Sequence, residues 1–160
     1  MLLVILPGSV QAADWRPAQP DRLAALDAAM APVLAAFQPT LDGVMADLAV
    51  ITGQVLLASP ADLVAGMQAR LDAATALQAD LRALRDLAAS GVGILRVHPP
   101  EACWAEYAAT QMSGWLLIGD STQSLDAGDM TSANVQLGAG VYLLGAYGTL
   151  VHGIAVEACA

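Results

Sequence analysis

From Asp21 to Ala58 the apolar residues Leu23, Leu26, Met30, Val33, Phe37, Leu41, Val44, Leu48, Ile51 and Val55 recur at steps of three or four. That spacing puts them on one stripe of an α-helix and conflicts with the two-residue period of a strand. Pro32 and Pro39 fall inside the stripe, and each removes an internal hydrogen bond and crowds the preceding turn. The rhythm runs through both, which predicts one long helix kinked between them or two helices nearly in line.

A second helix is announced by Ser59-Pro60-Ala61-Asp62, which supplies a serine cap, proline at the first helical position and a carboxylate at the positive end of the helix dipole. Its stripe, Leu63, Met67, Leu71, Ala74, Leu77, Leu81, Leu84 and Ala88, predicts a helix to about Ala89, with Ser90-Gly91 as a glycine stop. Residues 91–100, with two glycines and the Pro99-Pro100 end, read as an extended connector. A third helix is expected over 101–127, with Trp104, Ala108, Met112, Trp115, Ile118, Thr122 and Leu125 on one side. Gly128-Asp129 then combines a glycine stop with an aspartate cap, the signals of a tight turn between helices.

The fourth segment, about 130–157, is less determinate. Between Asp129 and Glu157 the only titratable charge is His152, and Gly138, Gly140, Gly145, Gly148 and Gly153 interrupt the run. Three readings stay open. A bundle helix would use its small residues for close approach, with Asn134, Gly138, Gly145 and His152 along one edge. A membrane span is long enough, since the uncharged run exceeds ~20 residues, but polar residues are spread through it and no basic residue flanks it. A β-hairpin would turn at Tyr147-Gly148. With the first as the working reading, hairpins 21–89 and 101–157 joined by the connector assemble an all-α, antiparallel four-helix bundle.

The bulk composition narrows the function classes. Of 160 residues 57% are hydrophobic, which excludes a disordered chain. The net charge is −9, and the six cations are arginines scattered at 16, 22, 70, 82, 85 and 96, so no basic stripe for nucleic acid exists. Residues 1–12 resemble the end of a secretory leader: an apolar run from Leu2 to Leu6, the breaker Pro7-Gly8, and small residues before a cleavage after Ala12. No Lys or Arg precedes the run, which predicts a start upstream of Met1. The mature chain is then a single domain, 13–160, exported to the periplasm or the medium.

Cys103 and Cys159 make an even count in an exported chain, so a disulfide is expected. About Gly128, Cys103 lies ~37 Å before the turn and Cys159 ~46 Å after it at the helical rise. Both fall at one end of the bundle. The mismatch of ~9 Å exceeds the span of a disulfide, so the residues after Val156 are expected to leave the helix and fold back. His98 and His152 lie near the same cysteines, but the spacings H-x4-C and H-x6-C match no common zinc pair, and no metal or cofactor is expected.

No catalytic set is evident. The sequence lacks a nucleophile elbow, a phosphate loop, a haem motif and a zinc helix. Its three glutamates, 101, 106 and 157, have no histidine three positions on, which excludes the di-iron pattern. The twelve aspartates read as caps and solvated faces. Trp104, Met112 and Trp115 share a face of the third helix and are the candidate lining of a ligand pocket, although such a stripe far more often serves as core.

Pro99-Pro100-Glu101-Ala102-Cys103, the following helix and the Gly128-Asp129 turn resemble exported bacterial helical proteins of unknown function. The resemblance covers about 60 residues and implies export and helicity, not an activity. The sequence thus predicts an exported, non-catalytic binding or structural module. Its partner is another protein or a second copy; membrane contact through 130–156 is the alternative.

Overall fold

A computed structural model describes residues 19–53 and 59–160. The leader at 1–12 and the last predicted turn of the first helix, 54–58, lie outside the described residues. Every regular element described is helical.

Helix α1, Gln19–Thr52, is continuous through both prolines. Pro32 and Pro39 are seven positions apart and exposed, as are Ala28 and Ala35, whose carbonyls lose their helical partner. The freed carbonyls therefore face water, and the helix need not break. The opposite side carries the predicted stripe, with Leu26, Met30 and Val44 at 1% exposure or less.

Helix α2, Pro60–Val97, starts at the serine cap, where Ser59 Oγ accepts from the Asp62 N–H at 3.2 Å. It does not stop at Ser90-Gly91. Residues 91–97, expected to be extended, form its last two turns, and the connector shrinks to 98–101. The reason is tertiary: a Cβ on Gly91 would stand 2.6 Å from ring carbons of Trp115. Gly91 is the flat spot on which an indole lies, and burying that ring favours continuing the helix beneath it.

A 3-10 turn, Ala102–Trp104, leads into α3, Ala105–Asp126. The Gly128-Asp129 turn forms as predicted: Gly128 has φ +77°, the left-handed region that favours glycine, and Asp129 Oδ1 accepts from the Ser132 N–H at 3.0 Å. The last segment is helical but not one helix. It divides at Gly145 into α4, Met130–Leu144, and α5, Ala146–Cys159. Tyr147-Gly148 lies inside α5, so no hairpin turns there.

The helices form a four-membered bundle: α2 packs between α1 and α3, α4 runs along α3, and α5 reaches α3, the 3-10 turn and α1. The close approach of α3 and α4 occurs at Gly114 and Gly140, where each would-be Cβ lies 2.7 Å from a side chain of the other helix. Gly138, expected on that edge, has nothing within 4 Å.

Cys103 and Cys159 form a disulfide with Cα atoms 5.4 Å apart. The tail does not fold back, because α5 remains helical to Cys159. Gly145 interrupts the run 14 residues before its end, and the 3-10 turn rises faster per residue than an α-helix. Together these changes replace the straight-rod geometry that produced the expected mismatch.

Candidate functional site

The expected trio sits in the packed interior. Trp104 and Trp115 are buried at 1% and 0% exposure, and Met112 packs against the core. Trp115 meets Phe37 edge-to-face with centroids 5.4 Å apart, over Gly91. Trp104 instead borders a recess near the α1 start, with Arg22, Val97 and His98.

A different recess, of about 350 Å³, opens between α1, α3 and α5. Its polar lining is Asp27 from α1, Tyr107 and Gln111 from α3, and Thr149 and His152 from α5. Met30, Ala31, Leu34, Leu144 and Gly148 supply the apolar surface. The volume is at the small end of the ~300–1,000 Å³ typical of ligand sites.

The local sequence explains each placement. Asp27 follows the buried Leu26 on the stripe of α1, so it stands at the flank of the packed face, about one-third exposed. Tyr107 and Gln111 are four apart, hence stacked on one face of α3, and are only 5% and 3% exposed. Thr149 and His152 are three apart on α5, hence on one face of it, and α5 packs against α1 and α3. Gly148 leaves room for the glutamine, since a Cβ there would lie 2.9 Å from Gln111 Nε2.

Asp27 organises the polar wall. His152 Nε2 lies 2.8 Å from Asp27 Oδ2, and the Tyr107 hydroxyl donates to Asp27 Oδ1 over a longer 3.5 Å. The Tyr107 and His152 rings also meet edge-to-face at 4.9 Å. Burial, and then the neighbouring Asp27 carboxylate, push the Tyr107 phenol well above its ordinary value, so it stays protonated and donating. Thr149 Oγ1 donates to the Gly145 carbonyl. Gln111 Oε1, by contrast, is buried with no hydrogen-bond partner, an arrangement that costs ~1–3 kcal/mol.

In the sequence Asp27 is one of the solvated aspartates and His152 an edge residue of the last helix, which a hydrogen bond would satisfy. The hydrogen bond is present; its partner lies 125 residues away, beyond any spacing rule. The Tyr107–Gln111 step was the one local signal, a polar pair on a buried helix face. His98 caps the end of α2, and both cysteine sulfurs are committed to each other, so the four residues considered for zinc are distributed to other roles. No family model, curated protein or solved structure matches this chain.

Proposed function

We propose that the chain is an exported, non-catalytic helical module that binds a small molecule in the recess between α1, α3 and α5. The observation that carries the reading is the convergence of Asp27, Tyr107, Gln111, Thr149 and His152 from three helices on one ligand-sized recess. Convergence of a few polar groups in a mainly apolar recess is the usual composition of a binding site. The non-catalytic part rests on how the donors are used: His152 Nε2 faces Asp27, and the Thr149 hydroxyl is turned to a backbone carbonyl. Neither hydrogen bond activates a nucleophile. The disulfide is compatible with an oxidising compartment.

The test is a fragment screen on the oxidised, isotope-labelled chain by two-dimensional NMR, with cationic, neutral and anionic fragments in equal number. Shifts clustered at Asp27, Tyr107, Gln111, Thr149 and His152 are expected. If no fragment moves these signals, the proposal is wrong.

A second reading, membrane association, is favoured by one observation: Val135, Tyr142, Leu150 and Ile154 are all more than half exposed in a segment without Asp, Glu, Lys or Arg. Two helical segments, Pro20–Thr52 and Met130–Cys159, also meet the length and hydropathy of a span. Co-flotation of the mature chain with vesicles, lost when Leu150 and Ile154 are changed to Ser, would establish this reading; recovery of all the protein below the vesicles would remove it.

A further inference from the structure

The apolar stripe of α2 continues from Leu63 to Ala88, but only its second half is covered. Leu81, Leu84 and Ala88 are buried, and Ala88 lies opposite Gly119 of α3. Further back the neighbouring helices run out. α3 ends at Asp126, whose carboxylate accepts from Arg85, and α1 ends at Thr52, where the Gly53 carbonyl accepts from Arg70. From Gln78, which borders the same recess as Asp126, back to Pro60, α2 projects ~27 Å past the end of α3. On this projection Leu63, Val64, Met67 and Leu71 are between 44% and 67% exposed.

We infer that this face pairs with the same face of a second copy of the chain, the two α2 helices crossing antiparallel on a two-fold axis at Met67. A two-fold contact must be self-complementary. Leu63, Met67 and Leu71 are spaced by four, so they form one ridge of the helix, and ridges of this step interdigitate in the commonest class of helix packing. The axis carries Leu63 of one copy to Leu71 of the other and Met67 to its own equivalent. Val64, Met67, Arg70 and Leu71 already border a groove of about 620 Å³ that can receive the partner's side chains. The partner helix thereby takes, on the projection, the position that α3 holds further along the same stripe.

Charge and area agree with this occupant. Each copy carries −9, but Asp62 and Asp72 stand five positions either side of Met67, about 140° round the helix from it, so the paired face turns the local carboxylates away. Arg70 is the one charged residue bordering the groove among the described residues, at an edge where its stem can cover apolar surface while its head stays in water. The four apolar side chains present roughly 400 Å² per copy, the size of patch that marks an interaction site on a monomer. Two copies with their rims bury on the order of 1,000 Å², the lower bound of a specific interface. The dimer is accordingly a weak, reversible one.

Sedimentation equilibrium of the oxidised chain from ~5 to ~500 µM tests the inference, with a monomer–dimer equilibrium of Kd on the order of 10–100 µM expected. Higher salt should strengthen the pairing, because it screens the repulsion between two acidic copies. Met67→Glu sets two carboxylates against each other on the axis and should weaken the dimer about tenfold or more. Ile154→Glu, at an exposed position of α5, should leave it unchanged. Met67→Cys should oxidise to a covalent dimer through position 67, and Leu116→Cys, exposed on α3, should not.

A chain that stays monomeric at about 500 µM overturns the inference, and so does a dimer that higher salt dissociates or that Ile154→Glu weakens as much as Met67→Glu. A dimer that Met67→Cys fails to cross-link overturns the axis. Flotation of a monomeric chain with vesicles, lost in Met67→Glu, would assign the face to lipid instead. Met67 is exposed, so its variants leave the core intact. The small-molecule recess takes no part in this contact, and the fragment screen and the sedimentation experiment therefore fail independently.

Discussion

Replacing Gly91 by Ala, with Gly93→Ala as its partner on the same helix, separates two roles of glycine that a sequence cannot distinguish. In a helix interior Ala is favoured over Gly by ~1 kcal/mol. At Gly93 nothing lies within 4 Å of the added Cβ, so that gain should appear in full. At Gly91 the Cβ would stand 2.6 Å from Trp115 Cδ2 and Cε2, about 1 Å inside a normal carbon–carbon contact. The indole is rigid, 0% exposed and set against Phe37, so relief requires moving a packed ring or the helix. Overpacking of this kind costs ~1–3 kcal/mol, and the upper half applies where the clash is with a ring and not the end of a flexible chain. The net expectation for Gly91→Ala is a loss of ~1–2 kcal/mol, and the two variants should differ by ~2–3 kcal/mol. At roughly 3 °C per kcal/mol for a domain of this size, calorimetry should place their Tm values ~6–9 °C apart on opposite sides of the wild type. Near-ultraviolet circular dichroism of Gly91→Ala should report the displaced Trp115. A Gly91→Ala chain as stable as Gly93→Ala would refute both the packing and the account of why α2 passes Ser90-Gly91.

The remaining predictions concern the staple and two titrating groups. The disulfide closes a loop of sequence separation 56, so Cys103→Ser with Cys159→Ser should cost about 4 kcal/mol in the chain-entropy model. Urea denaturation measures this, and a loss below about 1 kcal/mol would contradict that model here. The Tyr107 phenol is held above its ordinary value in the fold by burial and Asp27, so its contribution is complete below the unfolded tyrosine pKa and is lost as pH rises from there through the folded one. Wild type should therefore lose stability more steeply than Tyr107→Phe above about pH 10, and parallel curves would refute the assignment. At the other end of the scale, the Ser132 hydroxyl and then its backbone N–H hold Asp129 below its ordinary value. Its stabilising effect is present above the unfolded carboxyl pKa and is lost as pH falls through the folded one. Acid titration of Asp129→Asn should be flatter than wild type in that window, and an equal acid slope would remove the cap from the account.

Local chemistry was legible in the sequence wherever a few adjacent residues suffice to produce it. The three-four stripe of α1, the Ser59 cap with Pro60, and the Gly128-Asp129 turn all follow from backbone geometry within one or two turns. The all-α bundle follows from those stripes needing to be buried. The cysteine pairing was legible too, because two helices about a tight turn bring their distant ends together. What misled was glycine. Gly91 reads as a stop and is a contact; Gly145 reads as one more edge residue and is where α4 gives way to α5; Gly138 reads as the close approach that Gly140 makes. A glycine signals that a side chain is missing, and only the neighbouring helix decides whether the space serves a turn, an approach or nothing.

The candidate recess belongs wholly to that second category. By itself the sequence determined helix formation, bundle class and the pairing of Cys103 with Cys159, since these depend on periodicity, capping and chain length. Only the tertiary structure brought Asp27 to His152 across 125 positions, set Tyr107 and Gln111 behind them, and left Gln111 Oε1 without a partner. The physical reason is packing: α5 reaches both α1 and α3, and the recess lies where these three helices meet.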